Sequence, residues 1–316
     1  MPNLLTTPRF WKKKALLIKA ETVVGDDAAP TGLLNWIEGR NVSLTPLDAE
    51  TAERNIEVPY FGNGGKLITG KYAKLSFETA LVGPGAAGTV PKIAPMLLAC
   101  GLAETVTAGT SVAYNLVSDG IGAVTAYINI DGTRHKMVGA RGNASIAMSA
   151  KGIPLIKYSF ESVFIAPDAA PLPTVDRAGW PIEEAVTAAT TLPLTIGGVE
   201  LAYSQLDFDL GNQLERINLP GPQVEVAISG RNPTSSVTVL APGLALFDPF
   251  ALADSGAVQA LTTTHGSAAG KRARLDAKVR VIGADYDRIG NNMLAYKLTL
   301  EPCPVNGDDE FALTFL

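Results

Sequence analysis

Gly83-Pro84-Gly85-Ala86-Ala87-Gly88 spells G-x-G-x-x-G behind an alternating apolar stretch, with Glu104 about twenty residues further on. Glycines at that spacing let a backbone approach a pyrophosphate at a helix N-terminus. The surroundings argue against that chemistry. A dinucleotide-binding strand is a buried apolar run, whereas Lys71 to Val82 alternates and is solvated on one face. Pro91 and Pro95 fall where a continuous helix should start, and Glu104 lies just past a short helix, not at the end of a second parallel strand. Histidine occurs twice, as His135 in a hairpin strand and His265 in Thr262-Thr263-Thr264-His265-Gly266-Ser267. No G-x-S-x-G elbow accompanies either, and both read as solvated strand or loop surface. Asp285-Tyr286-Asp287 with Gly290-Asn291, and Asp308-Asp309-Glu310, offer the oxygen ligands a hard cation takes. Ile289 stands where a ligand belongs in the first, no glutamate closes it, and solvated loops are the better reading. No catalytic, cofactor-binding or metal-binding constellation survives, and the chain is not read as an enzyme.

Bulk properties point the same way. The net charge of −5 over 316 residues opposes a protein that grips nucleic acid through phosphates, though not a surface that DNA slides past. Lys12-Lys13-Lys14 beside Phe10-Trp11 therefore reads as a packing arm or subunit contact, with Trp36 a further apolar contact of the same N-terminal segment. Cys100 and Cys303 form neither a disulfide framework nor a zinc cluster, and Cys100, after Met96-Leu97-Leu98-Ala99, reads as a small buried hydrophobe. The apolar run Ala15 to Ile18 is too short for a signal peptide and no run is long enough to span a bilayer, which leads us to expect synthesis and assembly in the cytoplasm.

What remains to position any function is strands. Gly and Pro punctuate the chain often, and its length suits two domains of about 150 residues. From Gly152 to Ile165, Ile156, Tyr158, Phe160 and Phe164 alternate with Lys157, Ser159 and Glu161, a half-buried strand. Asn292 to Pro302 repeats it: Lys157 matches Lys297, Ser159 Thr299, Phe160 Leu300 and Glu161 Glu301, each displaced by 140 residues. Weaker matches follow in the same order, Leu44 to Asp48 beside Tyr203 to Asp207 and Ala80 to Gly83 beside Ala227 to Gly230, and a short helix ends at Gly101 as another ends at Gly256. An internal repeat of this kind fixes architecture before any motif does. We expect an all-β fold with short helices, in two tandem β-sandwich or barrel domains, each with one flanking helix. The expected boundaries are residues 1–166 with an N-terminal arm, a Pro-rich linker at 167–183 carrying Pro167, Pro171, Pro173 and Pro181, and residues 184–316.

Asp48 to Gly70 stands apart. It is too long for a tight turn, mixes Glu50, Glu53, Arg54 and Glu57 with Tyr60-Phe61, and contains Gly62-Asn63-Gly64-Gly65. A loop of that length in a compact β-domain, with charges flanking aromatics, reads as a contact surface.

The N-terminal third contains Leu17-Ile18-Lys19-Ala20-Glu21-Thr22, Asp27, Pro30-Thr31, Arg40-Asn41-Val42-Ser43-Leu44-Thr45-Pro46-Leu47 and Arg54. Pro59-Tyr60-Phe61-Gly62, Leu75-Ser76-Phe77-Glu78 and Ala94-Pro95-Met96-Leu97-Leu98-Ala99-Cys100-Gly101 follow. In these residues and their order the chain resembles the tail tube proteins of long-tailed bacteriophages. The resemblance implies subunits joined sheet edge to sheet edge in rings, rings stacked into a hollow tube in the virion tail, and DNA passing through without specific binding. The implied partners are copies of the chain itself and the tape measure, tail terminator and distal tail or baseplate proteins, with no membrane and no cofactor. Long loops such as Asp48 to Gly70 would bridge rings, so deleting Glu50 to Gly65 is expected to abolish stacking. Family members often carry one tube domain per subunit in hexameric rings; a chain of twice that size implies a homotrimer closing a pseudo-hexameric ring, or a hexamer if the second half is a decoration. Other readings are a capsid decoration or tail terminator protein of β-sandwich type, or a carbohydrate-binding module, for which aromatic platforms are missing.

Overall fold

The computed structural model describes residues 8–316, and the first seven positions of the expected first domain lie outside the described residues. In chain order the first elements are β1 (Lys14–Ala20), α1 (Gly32–Asn35), β2 (Arg40–Glu53), β3 (Lys66–Ala80), α2 (Ala94–Leu98), β4 (Leu102–Thr107), β5 (Ser111–Leu116), β6 (Val124–Ile130), β7 (Thr133–Ser149) and β8 (Leu155–Phe164). Next come β9 (Asp168–Ala169), β10 (Leu194–Ile196), β11 (Val199–Leu201), β12 (Tyr203–Asp209), β13 (Asn212–Asn218), β14 (Val224–Arg231) and β15 (Thr234–Leu240). The chain ends with α3 (Pro249–Ser255), β16 (Val258–His265), β17 (Ala273–Ile289), β18 (Met293–Pro302) and β19 (Phe311–Phe315). The fold is all-β with short helices, as the alternating pattern predicts.

The repeated strand forms as read. In β8, Ile156, Tyr158 and Phe160 are buried and the last two stack on Phe77 of β3, with ring centroids 5.2 and 6.0 Å away. Each such ring contributes roughly 2–3 kcal/mol by leaving water. In β18, Tyr296, Leu298 and Leu300 are buried in the same alternation. The helices end where glycine permits a left-handed residue: Gly101 has φ +81° and Gly256 φ +60°. At the start of α3 the Asp248 carboxylate accepts from the backbone N–H groups of Phe250 and Ala251, each at 3.0 Å.

The pairing order occurs twice. β1–β6–β7–β8–β3–β2 are antiparallel neighbours in one run, and β10–β16–β17–β18–β15–β12 in the other. Register coincides under the displacement of 140. Asn143 faces Ser159, Ala144 Tyr158, Ser145 Lys157, Ile146 Ile156 and Ala147 Leu155. Gly283 likewise faces Thr299, Ala284 Leu298, Asp285 Lys297, Tyr286 Tyr296 and Asp287 Ala295. The two runs join through β7–β12 and through β19, which pairs with both β17 and β5, giving one seventeen-stranded hydrogen-bonded network. The Pro-rich segment packs down on the first run: Trp180 donates from Nε1 to the Trp36 carbonyl at 3.3 Å, Arg40 pairs with Glu183, and Asp176 N–H donates to Gly32 O at 3.3 Å.

The structure differs from the sequence reading at several places. Residues 14–20, in the segment read as an N-terminal arm, form β1, whose Ala15 to Ile18 are buried against β6. The stretch 223–230 belongs to a separate two-stranded sheet, β13–β14, so the counterpart of β3 is β15. By pairing, Leu44 corresponds to Phe208 and not to Tyr203. His265 is buried, with Nδ1 2.8 Å from Thr191 Oγ1, and burial pushes its pKa below the ordinary histidine value. Asp285 to Ile289 are the end of a long strand, not a loop.

The glycine motif has a packing role. Gly83 N–H donates to Lys271 O at 3.2 Å and Gly85 N–H to Gly270 O at 2.8 Å. A Cβ on Gly83 would lie 2.4 Å from Gly270 O, and one on Gly270 2.6 Å from the Gly85 backbone. These glycines let two backbones touch where the halves of the chain meet.

Candidate functional site

The residues that could carry function lie on sheet edges and on two hairpin arms. β12 shows what such an edge does when occupied. Gln205 to Asp209 pair antiparallel with Ser149 to Ser145 of β7, beyond the point where β6 stops pairing at Ala140. Period two puts Leu206 and Phe208 on one face, where both are buried with Ile146 and Met148. Phe208 also meets Phe311 at 4.6 Å between centroids. On the other face Asn143 Nδ2 donates to Asp209 Oδ1 at 2.6 Å.

The two edges that correspond to the sides of this junction have no such neighbour. Among the described residues β2 pairs only with β3, and β17 beyond Arg280 pairs only with β18. Val42 and Leu44 of β2 are half-buried and Ser43 and Thr45 exposed, while Tyr286 of β17 is 66% exposed despite touching Phe250 and Tyr296. Open edges with apolar residues are templates for another strand.

The arms continue the same strands. Asp48 to Gly70, expected as a loop, is a projecting hairpin in which β2 and β3 stay paired out to Glu53 and Lys66, leaving residues 54–65 as its tip. Glu50 accepts from Arg216 Nη1 at 3.1 Å, and Glu53 pairs with Lys66 at 2.6 Å. Arg54 and Glu57 are exposed at the tip with Tyr60, which is 70% exposed, and Phe61, which is wholly solvated. The other arm, β13–β14, lies across β7 and β8. Arg141 Nη1 donates to Glu225 Oε2 at 3.1 Å and to Val226 O at 2.9 Å. Arg216 donates to Asp48 at 2.7 Å and Glu161 at 2.8 Å as well as Glu50, and its guanidinium sits 4.4 Å above the Tyr72 ring. The Arg216 hydrogen bond, followed by that from Lys74, holds Asp48 below the ordinary carboxylate range.

Of the N-terminal candidates, Phe10 and Trp11 are exposed, with Phe10 N–H donating to Asp131 at 2.5 Å and Lys14 3.3 Å above the Trp11 ring. Trp36 is instead engaged within the chain, bridging to Leu17 and meeting Trp180 edge-on at 6.4 Å. The sequence reading missed Arg216. Its carboxylate partners lie 55 to 168 residues away, so no local pattern marks it.

No helix among the described residues is long and apolar enough to cross a membrane. A comparison with curated protein sequences finds no match. A family model described as phage tail tube protein matches residues 11–315, nearly the whole chain and far beyond the N-terminal third that carries the sequence resemblance. The chain belongs to the phage tail tube protein family, a structural family of the virion tail.

Proposed function

We propose that this tail tube protein assembles with itself into closed rings that stack into a hollow tube through which the genome leaves the particle. The observation that carries the reading is the β7–β12 junction beside two unoccupied edges of the same type. A chain that already joins sheet edge to sheet edge once, and leaves one edge of each kind open, is built for heterologous closure. We read the doubled pairing order as two tandem tube domains, residues 1–166 and 184–316 with 167–183 between them. Three chains then close a pseudo-hexameric ring. The β2–β3 tip with Arg54, Glu57, Tyr60 and Phe61, on a stem carrying Glu50 and Glu53, reaches the next ring, and Phe10 and Trp11 add subunit contacts. A net charge of −5 suits a lumen through which DNA passes without sticking during ejection. Tape measure, tail terminator and distal tail or baseplate proteins complete the tail, which assembles in the host cytoplasm.

Electron microscopy of the purified full chain at high concentration tests this. Hollow stacked rings with three strong lobes are the expected result. Six equal lobes from six chains would replace the trimer, and single rings that never stack would favour a terminator or decoration protein.

A further inference from the structure

The occupied junction specifies how the open edges pair. We propose that Ser43 to Thr45 of β2 add antiparallel to Asp285 to Asp287 of β17 in a second copy of the chain, with Ser43 opposite Asp287. The inference rests on the ring reading and assigns its residue register.

The register follows from four ladders. Ser159 and Thr299 occupy equivalent places, since the β7–β8 and β17–β18 ladders coincide under the displacement of 140. Ser159 faces Ser76, which faces Ser43; Thr299 faces Ser236, which faces Asp207. Ser43 is therefore the counterpart of Asp207. Asp207 faces Ala147 across the junction, and the residue equivalent to Ala147 is Asp287. The same steps put Leu44 opposite Tyr286 and Thr45 opposite Asp285. Upstream, β2 and β12 each carry one extra residue relative to their partner strands, between Arg40 and Ser43 and between Tyr203 and Gln205, so both edges bend shortly before the paired stretch.

Burial and charge agree with that pairing. Leu44 and Tyr286 correspond to Phe208 and Ile146, which are 1% and 5% exposed in the junction. Tyr286, at 66% exposure, is what such a position looks like before its partner arrives. On the opposite face Ser43 and Thr45 present hydroxyl donors to the carboxylates of Asp287 and Asp285. Pairing β17 with another β17 about Asp287 would instead set carboxylate against carboxylate, which disfavours a two-fold dimer at this edge. β2 and β17 are different surfaces, so the contact runs head to tail, as a closed ring requires.

Engineered disulfides test the register in the full chain. Cys100 is buried and Cys303 partly exposed, so Cys303→Ser provides the background. Ser43→Cys with Asp287→Cys, and independently Thr45→Cys with Asp285→Cys, place cysteines directly opposite. Ser43→Cys with Asp285→Cys sets them diagonally, roughly 7–8 Å apart and beyond the usual reach of a disulfide. Under mild oxidation both direct pairs are expected to give covalent oligomers ending at the closed ring, at least tenfold more than the diagonal pair. Rings visible by microscopy with no cross-link, or with cross-linking confined to the diagonal pair, would overturn the register while leaving ring assembly intact. Absence of rings from the unsubstituted chain at every concentration would overturn ring assembly, and the register with it.

Discussion

Arg216 is the residue on which the β13–β14 arm depends. Its guanidinium serves three carboxylates and an aromatic face at once, with less than a fifth of the side chain exposed. Arg216→Ala leaves Lys74 as the one remaining cation for Asp48 and Glu161 and removes the partner of Glu50, and should cost roughly 2 kcal/mol, read as a lower urea midpoint. The same cluster makes the arm sensitive to acid. Asp48 is held below its ordinary pKa in the folded state, so its contribution is fully present above about pH 4 and is lost as pH falls through the lowered value. Hydrogen-exchange protection of β13–β14, corrected for intrinsic rate, should therefore drop below pH 4 in the native chain. In Asp48→Asn it should start lower and lose that dependence; an unchanged acid profile would place the sensitivity elsewhere. None of this was legible locally. Arg216 sits in a strand whose ends are Asn212 and Asn218, and only the fold brings its partners to it. His265 misled in the opposite direction: a run of threonines looks solvated until a neighbouring strand covers it.

At the scale of elements, strands that cover a core on one face were readable and strands that leave the core were not. β8 and β18 alternate because one face is buried and the other wet. The outer part of β2, from Leu47 to Glu53, is solvated on both faces apart from Asp48, so its sequence has no period and reads as loop. β14 shows the reverse error. Val226 is buried where the arm lies on β7 and β8, which lends the strand an alternation that resembles a core strand. The packing use of the glycine motif depends on the loop between β16 and β17 in the other half of the chain, which no local pattern announces. Gly270, at φ +82° and with backbone 2.6 Å from where a Cβ would sit, has no room for a side chain. Gly270→Ala should cost about 2 kcal/mol or more through strain and separation of the Gly83–Gly85 contact. Thermal melting should show the loss, and Ala86→Gly in the adjacent loop should not reproduce it. A melting temperature unchanged by Gly270→Ala would mean the two backbones part without consequence.

For the whole molecule, the displacement of 140 residues was visible, but the way the runs lock together was not. β12 crossing to β7, and β19 lying between β17 and β5, are pairings between segments far apart in sequence, for which composition leaves no trace. Those pairings separate two kinds of contact a ring stack needs. Edges β2 and β17 lie in the plane of the sheets and suit lateral closure, whereas the β2–β3 tip projects beyond its last paired residues, Glu53 and Lys66. Its counterpart arm ends in a shorter turn, residues 219–223, and is folded down on the chain's own sheet. The longer tip has Phe61 fully and Tyr60 largely in water, an exposure with a cost unless another surface covers them. Replacing residues 54–65 by Asn-Gly keeps the Glu53–Lys66 pair and closes the hairpin with a turn that matches strand twist. It also spares Glu50, whose bond to Arg216 the broader deletion from Glu50 to Gly65 would break. The shortened chain should still fold and close rings, with the same lobes in end-on class averages and an unchanged melting temperature, yet sediment as single rings where the native chain forms tubes. Tubes of normal length would remove the tip from stacking, and loss of rings together with tubes would move it to the lateral contact.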